Sequence, residues 1–159
     1  MPLFNMHQIR TQLGRGQRLL GIDPGQKTIG LALSDPLLML ASSYGTLKRG
    51  KLGAIAAEIG RIAAREGVGG LVCGLPLSMD GSFGPAAQAA HDWMLNLSAL
   101  VGLPAAMWDE RLSSSAVNRM LIQDADLTRQ RRAELVDKLA AAYMLQAALD
   151  ASATRSEPA

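Results

Sequence analysis

Apolar residues along this chain follow two rhythms, one of short continuous runs and one of helical spacing. Arg18-Leu-Leu-Gly-Ile-Asp23 is a short apolar run that ends in an acid and stops at Pro24-Gly25, which reads as a buried strand closed by a turn. Thr28 to Ser34 (TIGLALS) begins a second strand after only four residues. Parallel strands need a long crossover, so this link makes the pair an antiparallel hairpin. Met39 to Leu47 reads as a third strand. Leu52, Ile55, Ala56, Ile59, Ile62 and Ala63 then follow the i, i+3, i+4, i+7 spacing of an amphipathic helix, with Val68-Gly-Gly as its stop signal. Leu71-Val-Cys-Gly is a buried strand. Pro85 sits where a first helical turn accepts proline, and Ala86, Ala90, Trp93, Met94, Leu97 and Leu100 carry the helix that follows. Ala105-Ala-Met-Trp108 is another short strand, ending at Asp109-Glu110. Ser113 is a good N-cap for a short helix through about Ile122, and the last helix runs from about Arg131 to Leu149.

The order is three strands, a helix, then strand, helix, strand and two helices. Strand–helix–strand units demand parallel pairing with right-handed crossovers, whereas the opening hairpins are antiparallel. The expected fold is α/β: a mixed five-stranded sheet, antiparallel in its first three strands and parallel thereafter, with helices on both faces. Its 159 residues suit a single domain with one substantial core. Residues 18–150 are expected to form that domain, preceded by an extension (1–17) and followed by a small, polar tail (151–159). The extension has Arg10 and Arg15, no acid, and scattered apolar positions that leave it either loose or docked. It lacks the continuous apolar stretch and cleavage site of a secretory signal.

Composition narrows the classes. Hydrophobic residues are 48% of the chain and the net charge is only +2, which excludes disorder as the main state. The longest apolar runs, such as Pro36 to Ala41, fall far short of the ~20 residues of a membrane span. A single cysteine, Cys73, excludes an internal disulfide framework and points to a reducing compartment, the cytoplasm.

The chemistry lies in the carboxylates. Asp23 ends the first buried strand, and Asp109 and Glu110 end the last one. In an open α/β sheet, ligands bind beyond the carboxyl ends of the strands. Asp137 precedes Ala141, Met144 and Ala148 on one stripe of the last helix, whose Ala140, Ala141 and Met144 side should face the sheet. Burying a lone carboxylate costs several kcal/mol unless it is paired or binds a cation. Three acids converging from separate elements would suit Mg²⁺ or Mn²⁺. A pair of such ions about 3.5–4 Å apart can activate water against a phosphodiester. The same residues also admit simpler roles: Asp23 as a turn former before Pro-Gly, Asp109 or Glu110 paired with Arg111, and Asp137 paired with Lys138 or Arg132.

Four motifs occur in order: Ile22-Asp-Pro-Gly-Gln-Lys-Thr-Ile-Gly30, Gly74-Leu-Pro-Leu-Ser-Met-Asp-Gly81, Asp109-Glu-Arg-Leu-Ser113 and Val136-Asp-Lys-Leu-Ala-Ala141. Together they resemble the YqgF/RuvX family of Holliday junction resolvases, also described as pre-16S rRNA processing nucleases. The resemblance covers about Arg18 to Asp150. It implies a ribonuclease H-like fold, with Asp23, Glu110 and Asp137 as metal-binding catalytic acids. Two positions depart from pattern. Asp-Pro-Gly stands where the family usually has Asp-Phe-Gly and resembles the related RuvC resolvases. Ala140 stands where those resolvases carry a further acid, which favours simple phosphodiester hydrolysis over a direct carry-over of junction cleavage.

Lys27 and Arg111 are candidate phosphate contacts, and Arg129, Arg131 and Arg132 form a candidate basic patch before Asp137. Each is equally a solvated or ion-paired side chain. Aromatics are only 4% of the chain, too few for an extended base-stacking platform, so backbone recognition is expected. The expected partner is nucleic acid, either pre-rRNA or branched DNA, with no membrane; a homodimer would help place two symmetric cuts in a junction. The rival readings are a non-catalytic nucleic-acid-binding assembly or transcription factor, and an actin-like phosphotransferase for which the chain is too short.

Overall fold

The computed structural model describes residues 3–25, 27–77, 80–109 and 129–153, with the side chains of 129–138 outside that set. Five strands form one sheet: β1 (Arg18–Pro24), β2 (Thr28–Ser34), β3 (Ala41–Lys48), β4 (Val68–Leu75) and β5 (Ala105–Asp109), in the order β3-β2-β1-β4-β5. The β1–β2 and β2–β3 pairs are antiparallel, while β1–β4 and β4–β5 are parallel. Four helices complete the described residues: α1 (Met6–Gln12), α2 (Leu52–Glu66), α3 (Pro85–Val101) and α4 (Arg129–Ser152). The ribonuclease H-like architecture inferred from the sequence is the one observed. The short helix expected over Ser113–Ile122 lies outside the described residues.

Alternation along the strands sorts the core into two layers. Leu20 and Ile22 of β1, Leu71 and Cys73 of β4 and Ala105 of β5 pack beneath α2 and α3, among Ile55, Ile59, Met94 and Leu97. Leu19, Val72 and Ala106 point the other way, against Met6 and Ile9 of α1 and Ala141, Met144, Leu145 and Ala148 of α4. Both faces of β4 are therefore covered, which is why it is buried from Val68 to Gly74.

Three local readings change. Helix α2 stops at Gly67, whose left-handed φ of 68° lets its N–H bond to the Ala63 carbonyl, so Val68-Gly-Gly begins β4 rather than ending the helix. Strand β3 starts at Ala41, because Asp35 organises the six residues before it into a turn. The N-terminal segment is docked: Asn5 and Gln8 close a capping box on α1, Ile9 is fully buried, and Phe4 bridges to Ala106 at the β5 edge. Arg10 then fastens α1 to the end of α4, donating to the Leu149 carbonyl and the Ser152 hydroxyl at 2.9 Å each. Burial holds its pKa below the ordinary arginine value.

The Asp35 carboxylate accepts backbone N–H bonds from Leu40 (2.9 Å), Met39 (2.7 Å) and Leu37 (3.2 Å). These bonds, that from Leu40 foremost, hold its pKa below the ordinary value of 3.8. A depressed carboxyl stabilises the fold above its ordinary pKa, and that contribution disappears as pH falls through the lowered value. Asp35→Ala is expected to lower Tm by about 2–4 °C at pH 7, matching ~1 kcal/mol for a lost cap in a chain of this size. Thermal melts from pH 7 to 2 should show the gap between variant and wild type closing at the acid end; a constant gap would contradict the assignment.

Candidate active site

Asp23 sits on the last full ladder step of β1 before Pro24, opposite Gly30, and is half-buried. Side chains alternate along a strand, so Asp23 shares the face of Leu19 and Gly21, the face covered by α4. Pro24 turns to the α2/α3 side.

Gly21 sets how closely α4 approaches that face. A Cβ placed there would lie 3.0 Å from Leu145 Cβ and 3.4 Å from the Ala141 carbonyl oxygen. The helix runs antiparallel to β1. Gln146, further along α4, accepts the Ala41 N–H (2.8 Å) and donates to the Met39 carbonyl (2.9 Å), at the amino end of β1. Reading α4 backwards from Ala141 therefore leads to the carboxyl end of β1. Position 137 is one turn before Ala141, about 6 Å along the axis. Asp23 is two residues beyond Gly21, about 6.6 Å along the strand. The backbone thus brings positions 23 and 137 to the same end of the same sheet face.

Asp109 ends β5, two strands from β1, and Glu110 is the next residue in sequence. Glu110 and Arg111 lie outside the described residues, as do the side chains of Asp137, Arg129, Arg131 and Arg132. Positions 129, 131 and 132 occupy the opening turn of α4, before 137. Among described residues no three His, Cys, Asp or Glu side chains converge on a common point. Asp23 is the one member of the acid trio whose side chain is described. Its donor is a carboxylate, and the one cysteine is buried in the α2/α3 core, so the chemistry available at this edge is hard oxygen ligation.

Lys27 is exposed on the β1–β2 turn, and its carbonyl accepts the Arg49 N–H at 3.0 Å. That contact brings in three cations which the sequence reading passed over. Lys48 pairs across from Thr28, Arg49 follows it, and Lys51 precedes α2; all are exposed, and among the described residues none is in an ion pair. The signal was present as the run Lys48-Arg-Gly-Lys51, but only β3 pairing places it against the β1–β2 turn that follows Asp23. Arg49 is further fixed by an Nη1 bond to the Gly25 carbonyl (2.6 Å) and by its guanidinium, 6.0 Å from the Trp93 ring centre.

A family model described as RuvX, Holliday junction resolvase, matches residues 17–151. A relative described as a candidate pre-16S rRNA nuclease from Gluconacetobacter diazotrophicus is 86% identical, over 96% of this chain and 99% of its own length. One with the same description from Gluconobacter oxydans is 66% identical, over 96% of this chain and 95% of its own. Among solved structures, T. thermophilus RuvC in complex with a Holliday junction substrate superposes with a TM-score of 0.50 at 19% identity, covering 85% of this chain and 94% of that one. That likeness is one of fold.

Proposed function

Because this chain belongs to the RuvX family, we propose that it is a nuclease that hydrolyses phosphodiester bonds in structured nucleic acid using Mg²⁺ or Mn²⁺. The observation that carries this reading is the antiparallel passage of α4 across Gly21, which aligns position 137 with Asp23 at the carboxyl edge of the sheet. Asp23, Glu110 and Asp137 would hold the metal. Bound there, the metal would supply an activated water and neutralise charge on the leaving oxygen. Asp23 contributes its carboxylate from a central strand buried on both sides, so its position is fixed before substrate arrives. Lys27 and Arg111, with Arg129, Arg131 and Arg132, would hold the phosphate backbone by contacts that fall away with salt. The working place is the cytoplasm, and two copies acting together would suit a symmetric junction.

The closely similar relatives make precursor 16S rRNA the first substrate to try, with a four-way DNA junction beside it. Purified protein should cleave at least one of them in Mg²⁺ or Mn²⁺. Chelation with EDTA should abolish the cleavage, and excess metal should restore it. Cleavage indifferent to EDTA would overturn the metal assignment. Tight binding of both substrates with no product under any metal would favour a non-catalytic assembly factor.

A further inference from the structure

A cavity of about 420 Å³ opens at the same carboxyl edge as Asp23, on the opposite side of the sheet from α4. Pro24 of β1, Gly74 and Pro76 at the end of β4, Arg49, and Ala90 and Trp93 of α3 form its walls. Its size falls in the range of small-molecule sites, and its lining is a mostly apolar wall with one cation, the usual pattern of such sites. Pro24 is the chain neighbour of Asp23, so the mouth of the cavity begins about one residue, ~3.8 Å, from the backbone of the candidate catalytic acid.

We propose that this cavity takes one unpaired nucleotide of the nucleic acid strand held at Asp23, its base against Trp93 and its phosphate on Arg49. This rests on the nuclease reading for the strand's presence, but its own chemistry is separate. A flat aromatic ring beside a cation, rimmed by apolar walls, suits a planar base joined to an anionic phosphate. Arg49 is held in place by the Gly25 carbonyl and still presents its other guanidinium N–H groups. Lys48 and Lys51 flank Arg49 on the link from β3 to α2, where they share a separate shallow groove with Glu58, which is paired with Arg61. Arg49 is therefore the cation of this wall that would meet a phosphate. Small alanines at 86, 89 and 90 leave the ring-sized space that larger helix formers would fill.

The test measures binding, separately from cleavage. A fluorescein-labelled six-nucleotide single-stranded RNA is titrated by fluorescence anisotropy, in EDTA, with the full chain. Matched strands carry an abasic spacer at each position in turn. Wild type should bind the intact strand more tightly than one of the abasic strands by about tenfold, the scale of one lost base stack. Trp93→Ala should weaken intact-strand binding about tenfold and erase the intact–abasic difference, and Trp93→Phe should restore most of both. Ala90→Leu, which fills the cavity with a residue that favours helix, should act like Trp93→Ala with Tm unchanged. Arg49→Ala should weaken intact and abasic strands alike. Intact and abasic strands bound equally by wild type would overturn the proposal. So would cavity variants that bind as wild type while Lys48→Ala weakens binding. Failure of the nuclease reading is read elsewhere, as absence of metal-dependent product, and leaves this binding comparison intact.

Discussion

Asp23→Asn is expected to lower cleavage by roughly 10³-fold or more while leaving Tm within about 2 °C of wild type. The substitution keeps the shape of the side chain, and the ladder bonds of β1 to β2 and β4 are made by backbone, so the fold has little to lose. Metal ligation does lose: an amide is a neutral donor where a hard divalent ion favours a carboxylate. Salt dependence of substrate binding should be unchanged, because the cations around Lys27 and Arg49 remain. Asp109→Asn is the natural control. Asp109 alternates with Trp108 and so shares the α2/α3 face with Met107, away from α4, and its substitution should cost far less activity. Rate measurements under single-turnover conditions decide the matter. Equal losses in the two variants would mean that sheet face does not select the catalytic acid. An active Asp23→Asn would remove Asp23 from the metal site.

Gly21→Val is expected to cost about 3 kcal/mol, the upper part of the range for overpacking a close contact. At this chain length that is a fall in Tm of about 6–12 °C. Even a Cβ at position 21 would meet Leu145 Cβ at 3.0 Å, and the branching methyls of valine would press on the Ala141 carbonyl, which is backbone and cannot rotate aside. The helix has to lift. Position 137 rides on the same rigid helix, so activity measured well below the new Tm should fall as well, by about 10²-fold for a shift on the order of 1 Å. Gly45→Ala on the edge strand β3 meets nothing within 4 Å and should leave both quantities nearly unchanged. Full activity in folded Gly21→Val would separate helix placement from catalysis.

What the sequence made legible was periodic or punctuated. The helix at Leu52, the β1–β2 hairpin around Pro24-Gly25, Pro85 at a first turn and the inward Ala141–Met144–Ala148 stripe are all local signals, and the structure carries each of them. Its failures came from tertiary contacts outweighing local preference. Val68-Gly-Gly reads as a break because glycine weakens a strand. It is strand here because Gly70 admits Ile9 and Leu19, which would stand 3.0 Å from any Cβ, so the missing side chain is what allows α1 to pack. Docking of α1 was undecided for the same reason, although Asn5 and Gln8 already carried the capping pattern in sequence. The cations at 48, 49 and 51 gained meaning only by strand pairing across some twenty residues to the β1–β2 turn. Asp23 was legible as an acid ending a buried strand. Its face was not, because it depends on which helix covers which side.

The Arg10 clasp has a consequence for how this molecule can be approached. It joins the first helix to Leu149 and Ser152, at the amino end of β1. Phe4 pairs parallel with Ala106, level with Gly21 in the middle of β1. Residue 153, the last one described, therefore lies toward the end of the sheet opposite Asp23. If the carboxyl edge holds the substrate as proposed, the close of α4 lies away from it. A protein fused at residue 153 would start at the far end of the sheet from Asp23, which gives the molecule an attachment pole apart from the proposed working one.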